Sequence, residues 1–404
     1  LAASGPPTLP FCSLPDRTRG LIAAGFRDGR SPEVLGVAGE IPIVGGEPSR
    51  DETPTPWPST TSDVRVPIVF VGSGVRPGSV PDGSGLSQIA PTIAEVIGLR
   101  PRFPDVRSGR AIAGIASGSS PRLVVEVALE GLGTGDLEAE PTAWPTLRGL
   151  LEEGAGTTLG TTGSLPLDPT AVLTTIGTGG LPSEHGITGT LLRNETGALT
   201  SAWGAGAPLP VISTLAEDLD DSMGEQPLVG LVAPGRADRG IVGGAWYLEH
   251  DRDLVARAPS PSEAARLAAT LLERGFGGDG VPDVLAVVMQ GDVAAMDAAL
   301  RRLIVEAGRA SGGSVVFVVA GTGSWAVGGS VDGTSVGDRV EEIAGPVVEA
   351  VVPGGIYVDL PGLLSVGASR EIVRGALAGA RDPQGSPLIV DAFHSYAVSL
   401  ARYC

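Results

Sequence analysis

Short runs of Val, Leu and Ile recur along the chain, each closed by glycine and followed by an amphipathic stretch. "VPIVFVG" (66–72), "RLVVEVALEGLG" (122–133), "PLVGLVA" (227–233), "DVLAVVMQG" (283–291) and "GSVVFVVAG" (313–321) read as strands. They are apolar on both faces, too short for buried helices and rich in β-branched residues. Between them, "LSQIAPTIAEVIGL" (86–99), "WPTLRGLLEEGA" (144–155), "PTAVLTTIGTG" (169–179), "SPSEAARLAATLLERG" (260–275) and "DVAAMDAALRRLIVEAG" (292–308) read as helices. The punctuation is clearest at 260–275: Ser260 is placed to cap, Pro261 suits the first turn, Glu263 would complete a capping box and Gly275 would stop the helix. Residues 46–62, 100–121 and 156–169 read as loop or linker, from their Pro, Gly, Ser and Thr content.

Strands apolar on both faces and alternating with helices predict an α/β fold, with a mainly parallel central sheet covered by helices on both sides. Chemistry in such sheets gathers at the carboxyl ends of the strands.

Composition narrows the possible functions. The chain has 404 residues and a formal charge of −18, which excludes a phosphate-reading nucleic-acid binder. All 28 basic residues are arginine, and Asn194 is the one asparagine, a bias expected of a GC-rich bacterial genome. No apolar run is long enough to span a membrane. The chain begins at Leu1, which leads us to expect a processed form or a fragment and leaves the compartment open. Cys12 and Cys404 have no partner at metal-ligand spacing; two free thiols are the favoured expectation, with a disulfide as the alternative.

"LVVEVALEGLGTGDL", "WPTLRGLLEEGA" and "GTTLG…AVLTTIGTGGLPSEHGITG", spanning about 123–190, resemble the opening of the alkaline-phosphatase superfamily, closest to the type I phosphodiesterase/nucleotide pyrophosphatase branch. "GDVAAMDAALRRLIVEAG" and "GSVVFVVAGTGSW" resemble later segments of that fold, and residues 31–99 its closing part. The resemblance implies a phosphoester hydrolase with two divalent metals, usually zinc, held by Asp and His at strand ends, and a Thr or Ser nucleophile.

The sequence departs from that pattern at the positions that matter. Glu130 stands where the first metal-binding Asp belongs. Pro169 falls on the nucleophile position, with Thr170 one residue away. Gly321-Thr322-Gly323 replaces an expected Asp-His pair, Asp292 is the one acid soon after 283–291, and Pro56 aligns with an expected His. The leading expectation is therefore a domain without its metal centre and with no cofactor, acting as a structural or interaction module, with a related active copy upstream as its candidate partner. The alternative is a rebuilt zinc- or manganese-dependent hydrolase, with Glu130 and Asp292 as metal ligands and Thr170 and Asp168 as catalytic groups. A third reading has the backbone N–H groups near 170 bind an anion or nucleotide without turnover.

The remaining motifs read as structural. His185 is expected in a turn, His250 on the surface and His394 as a packing residue. "GTGSWAVGGSVDG" lacks the lysine and spacing of a phosphate loop. "EDLDD" (217–221), with Glu225, reads as a solvated helix end rather than a weak calcium site. Closing segments precede opening ones, so residues 1–115 read as a truncated tandem copy or a permuted tail, and 120–404 as the degenerate domain.

Overall fold

The structure is a computed structural model that describes residues 11–38, 43–44, 64–100, 103–244, 253–325 and 331–404. The loop at 46–62, Pro56 and His250 lie outside the described residues, as does part of the glycine-rich stretch after Trp325.

Twelve strands build two sheets. In chain order they are β1 (Val34–Ala38), β2 (Arg65–Gly72), β3 (Gly78–Ser79), β4 (Leu123–Glu130), β5 (Ala155–Thr161), β6 (Val229–Ala233), β7 (Leu254–Arg257), β8 (Asp283–Gln290), β9 (Val315–Gly321), β10 (Val348–Val352), β11 (Gly355–Val358) and β12 (Ile389–His394). The large sheet has the order β7-β6-β8-β4-β9-β2-β5-β3. From β7 to β9 every pairing is parallel, while β2 runs antiparallel to both β9 and β5. The chain is thus an α/β protein with a mainly parallel central sheet, as the apolar pattern predicts.

The helices that bear on the site are α1 (Ile89–Ile97), α2 (Pro145–Glu153), α3 (Pro169–Thr178), α4 (Leu215–Ser222), α5 (Pro261–Leu272) and α6 (Val293–Ala310). Alternation along β4 assigns its two faces. Val124 and Ala128 pack with α1, α3 and α4, whereas Leu123, Val125, Val127 and Leu129 pack with α2, α5 and α6. Each face buries a separate aliphatic core, so few aromatics are needed.

The second sheet is antiparallel, ordered β10-β11-β1-β12, and is backed by helices Gly333–Ala344 and Arg370–Ala378. It joins a strand near the start of the chain to strands near its end. Residues 65–99 likewise pack with 123–321 in one sheet and one core.

Three expectations need correction. Residues 155–161 form a strand rather than part of a loop: Thr157 and Thr158 favour extended backbone, and β2 and β3 supply partners on both sides. Pro67, in β2, falls at the register shift between Val66 and Ile68, where a ladder donor is dispensable. The segment 100–121 is not a bare linker, since Ile112 and Ile115 are buried and Arg107 is 4% exposed. Arg107 reaches Asp218 of α4 at 3.4 Å, a partner 111 residues away. That contact also removes Asp218 from the solvated helix end expected of "EDLDD". Glu217 is buried as well, and accepts from the backbone N–H groups of Thr214 and Gly244.

The cysteines are not free thiols: Cys12 and Cys404 form a disulfide. Phe11 meets Phe393 of β12 edge-on at 5.5 Å, docking the segment around Cys12 close to the last residues of the chain.

Candidate functional site

The carboxyl ends of β4 and β9 lie side by side, with Leu129 opposite Gly321. Glu130 closes β4 and is 6% exposed. Its carboxyl is pushed well above the usual range, first by burial and then by the nearby acids Asp238 and Asp168. These three buried carboxyls come from three elements: the end of β4, the N-cap of α3, and the short 3-10 turn Ala237–Ile241 that follows β6.

Two glycines bring the last two elements together. A Cβ on Gly177 would stand 2.4 Å from the Ile241 carbonyl oxygen, and one on Gly240 would stand 2.2 Å from Thr174 Oγ1. The helix α3 therefore lies directly against the 237–241 turn. Its threonines turn inward and bond back along the helix, Thr174 to the Thr170 carbonyl at 2.7 Å and Thr178 to the Thr174 carbonyl at 2.6 Å.

Asp168 is fully engaged as the cap of α3. Its Oδ1 accepts from Thr170 N at 3.0 Å and from Ala171 N at 3.4 Å. Its Oδ2 accepts from Thr190 N at 2.9 Å, and the Thr190 hydroxyl donates to Oδ1 at 3.2 Å. Burial raises its pKa, while these hydrogen bonds pull it back down. The backbone donors at 170 and 171 are thus taken by the cap, and a helix-start anion site there would have to displace it. Thr170 is fully buried, and its hydroxyl lies 3.0 Å from that of Thr190. A cavity touching Asp168 holds about 10 Å³, room for a single water.

The exit of β9 ties two loops together. Thr322 Oγ1 accepts from Gly131 N at 2.9 Å, and Ser324 donates to Asp136 Oδ2 at 2.7 Å. That carboxylate oxygen also accepts from Gly133 N at 2.7 Å. Gly131, at φ 77°, packs so close to Trp325 that a Cβ would stand 2.8 Å from the indole. Asp292 sits apart from this group. It is exposed and caps α6 through Ala295 N at 2.7 Å. Glu130, Asp168 and Thr170 are therefore brought together, and Asp292 is not among them.

His185 is fully buried at the end of the short helix Pro182–His185. Its Nδ1 accepts from Ile187 N at 3.1 Å, so the ring carries its proton on Nε2, 3.1 Å from Thr175 Oγ1. Burial lowers its pKa to about 3. His394, at the end of β12, belongs to the other sheet and bonds Glu371 at 2.8 Å. Among the described residues, no group of three or more His, Cys, Asp and Glu side chains is arranged to hold a metal ion.

Asp238 is the site residue that sequence reasoning missed. The available signal was its place in "PGRADRG", just past the carboxyl end of β6.

No family model and no curated protein matches the chain. Among solved structures, it is similar to phosphonoacetate hydrolase from Sinorhizobium meliloti 1021 in complex with phosphonoacetate, at 14% identity and a TM-score of 0.30. The match covers 50% of this chain and 56% of that one, so the chain spans little more than half the length of that enzyme.

Proposed function

We propose that this is an alkaline-phosphatase-like domain that has lost its two-metal phosphoester hydrolase site and serves as a structural or interaction module. The observation that carries the reading is the closure around Asp168 and Thr170. Both oxygens of Asp168 are engaged in hydrogen bonds, and the Thr170 hydroxyl is sealed from solvent against Thr190. A nucleophile must approach phosphorus in line, and a carboxylate that assists it must reach the reacting groups. Neither group meets its requirement. The donor chemistry points the same way: His185 is committed to Thr175 and Ile187, and the strand end that would supply Asp-His supplies Thr322, bonded to Gly131. These residues do not fit a pair of divalent ions. A related active domain is the partner this reading calls for.

We further read residues 65–99 and 123–321 as one domain in which the closing segment precedes the opening one. The support is the position of β2 between β9 and β5 in a single sheet.

One observation favours a second reading, a zinc- or manganese-dependent phosphoester hydrolase. Glu130 lies near both Asp168 and Asp238, and a bound cation would relieve the repulsion it feels from them. Purified protein supplemented with zinc or manganese separates the two readings, through its metal content and its hydrolysis of a nitrophenyl phosphodiester. No stoichiometric metal and no turnover supports the degenerate domain. Two ions per chain, with turnover abolished by Thr170→Ala, overturns it.

A further inference from the structure

A cleft of about 560 Å³ opens beside the 237–241 turn, over the carboxyl ends of the edge strand β7 and its parallel neighbour β6. Its floor is apolar, made by Leu231 of β6 and Val255 of β7, which lie opposite each other in the pairing. Its walls carry three guanidinium groups, Arg236, Arg239 and Arg257, together with the indole of Trp203. The turn thus has two chemistries: Asp238 faces inward to Glu130, while its neighbours Arg236 and Arg239 face the cleft.

The arginines are held in place. Arg239 bonds Asp253 at 2.7 Å, and Arg257 Nε donates to the Pro234 carbonyl at 2.9 Å. Arg236 is exposed at the rim. Trp203 is unusual in two respects. Its φ of 59° lies in the left-handed region, which a bulky residue adopts only where its surroundings impose it. Its Nε1 is buried and has no hydrogen-bond partner among the described residues. Gly244 lies between Trp203 and Arg239, where a Cβ would make ordinary contacts, 3.6 Å from Arg239 Nε and 3.7 Å from Trp203 Cζ3.

Guanidinium forks select phosphate-like anions, and an indole face selects planar rings. The volume suits a small molecule. We propose that this cleft binds a phosphorylated small molecule that carries a planar ring, the arginines taking the anion and Trp203 the ring. The site does not involve Glu130, Asp168 or Thr170, so the proposal stands apart from the reading of that closed centre.

Calorimetric titration of the full chain with AMP tests it, with adenosine and inorganic phosphate as separate arms. AMP is expected to bind saturably, and each half-ligand at least about tenfold more weakly. Arg236→Gln should weaken AMP by about tenfold, because one charge-assisted contact is lost. Arg236 is exposed, so the thermal melt of that variant should not move. Trp203→Gly accommodates the backbone conformation while removing the ring, and should reduce AMP to the affinity of phosphate. The proposal is overturned if AMP gives no saturable heat, if phosphate alone binds as tightly as AMP, or if AMP binding ignores both substitutions.

Discussion

Replacing Glu126 by glutamine should make the protein more stable at neutral pH, by an amount that grows as pH rises. Glu126 lies midway along β4, flanked by Ala286 of β8 and Val318 of β9, and is 3% exposed. Its Oε2 is buried without a hydrogen-bond partner. Burial alone raises its pKa from 4.5 to about 8. The sign follows from linkage: the unfolded chain releases this proton near 4.5, while the folded chain holds it until about 8. The contribution of Glu126 is therefore fully present below pH 4.5 and is lost progressively up to about pH 8. Across that window each pH unit shifts the folding equilibrium tenfold towards the unfolded state. Between the ordinary pKa and pH 7 the accumulated loss is about 3 kcal/mol. Glutamine keeps the shape and cannot ionise, so the loss vanishes. Urea unfolding of both proteins from pH 5 to pH 8 would measure it, with equal m-values as the check that the unfolded state is unchanged. Parallel stability curves would mean that Glu126 ionises in the folded chain as easily as in the unfolded one, contrary to its burial.

Three further outcomes follow from other contacts. Arg107→Ala should destabilise by about 1.5–3 kcal/mol, through loss of its buried charge-assisted bond to Asp218, and chemical unfolding would show it. Asp168→Ala should destabilise by about 2 kcal/mol or more, through loss of the α3 cap and its bonds to Thr190, while Asp292→Ala, at an exposed cap, should cost about 1 kcal/mol. Thiol titration of unreduced, unfolded protein should find no free cysteine, and Cys12→Ser should destabilise by about 2–4 kcal/mol; two reactive thiols would contradict the disulfide.

Five strands of the central sheet, β2, β4, β6, β8 and β9, were legible because they are largely buried on both faces, so apolar runs announce them without alternation. Helix α5 was legible from its punctuation, although Glu263 turns to Arg266 instead of completing the capping box expected of it. β5 was not legible: its sequence "AGTTLGT" is half exposed and rich in glycine, as loops are. Its strand character comes from β2 and β3, which no local pattern records. The segment 100–121 was misread for a related reason, since Arg107 is buried by a partner distant in sequence. At the site, Glu130 and Asp168 were visible from their positions at a strand end and a helix start. Asp238 was not, because its nearness to them depends on glycine contacts between α3 and the turn after β6. Asp292 was singled out for its nearness in sequence to β8, but its carboxylate faces solvent as a cap.

The lone antiparallel strand β2 sets a timetable for assembly. It leaves the ribosome before either neighbour, and β5 can cover one of its edges first. The other edge waits for β9, after roughly 160 more residues have been added, which takes on the order of ten to thirty seconds at typical rates of synthesis. Through that interval a run of Val, Ile and Phe offers unpaired backbone to any passing strand, so the nascent chain is most exposed to aggregation before its last parallel strand arrives.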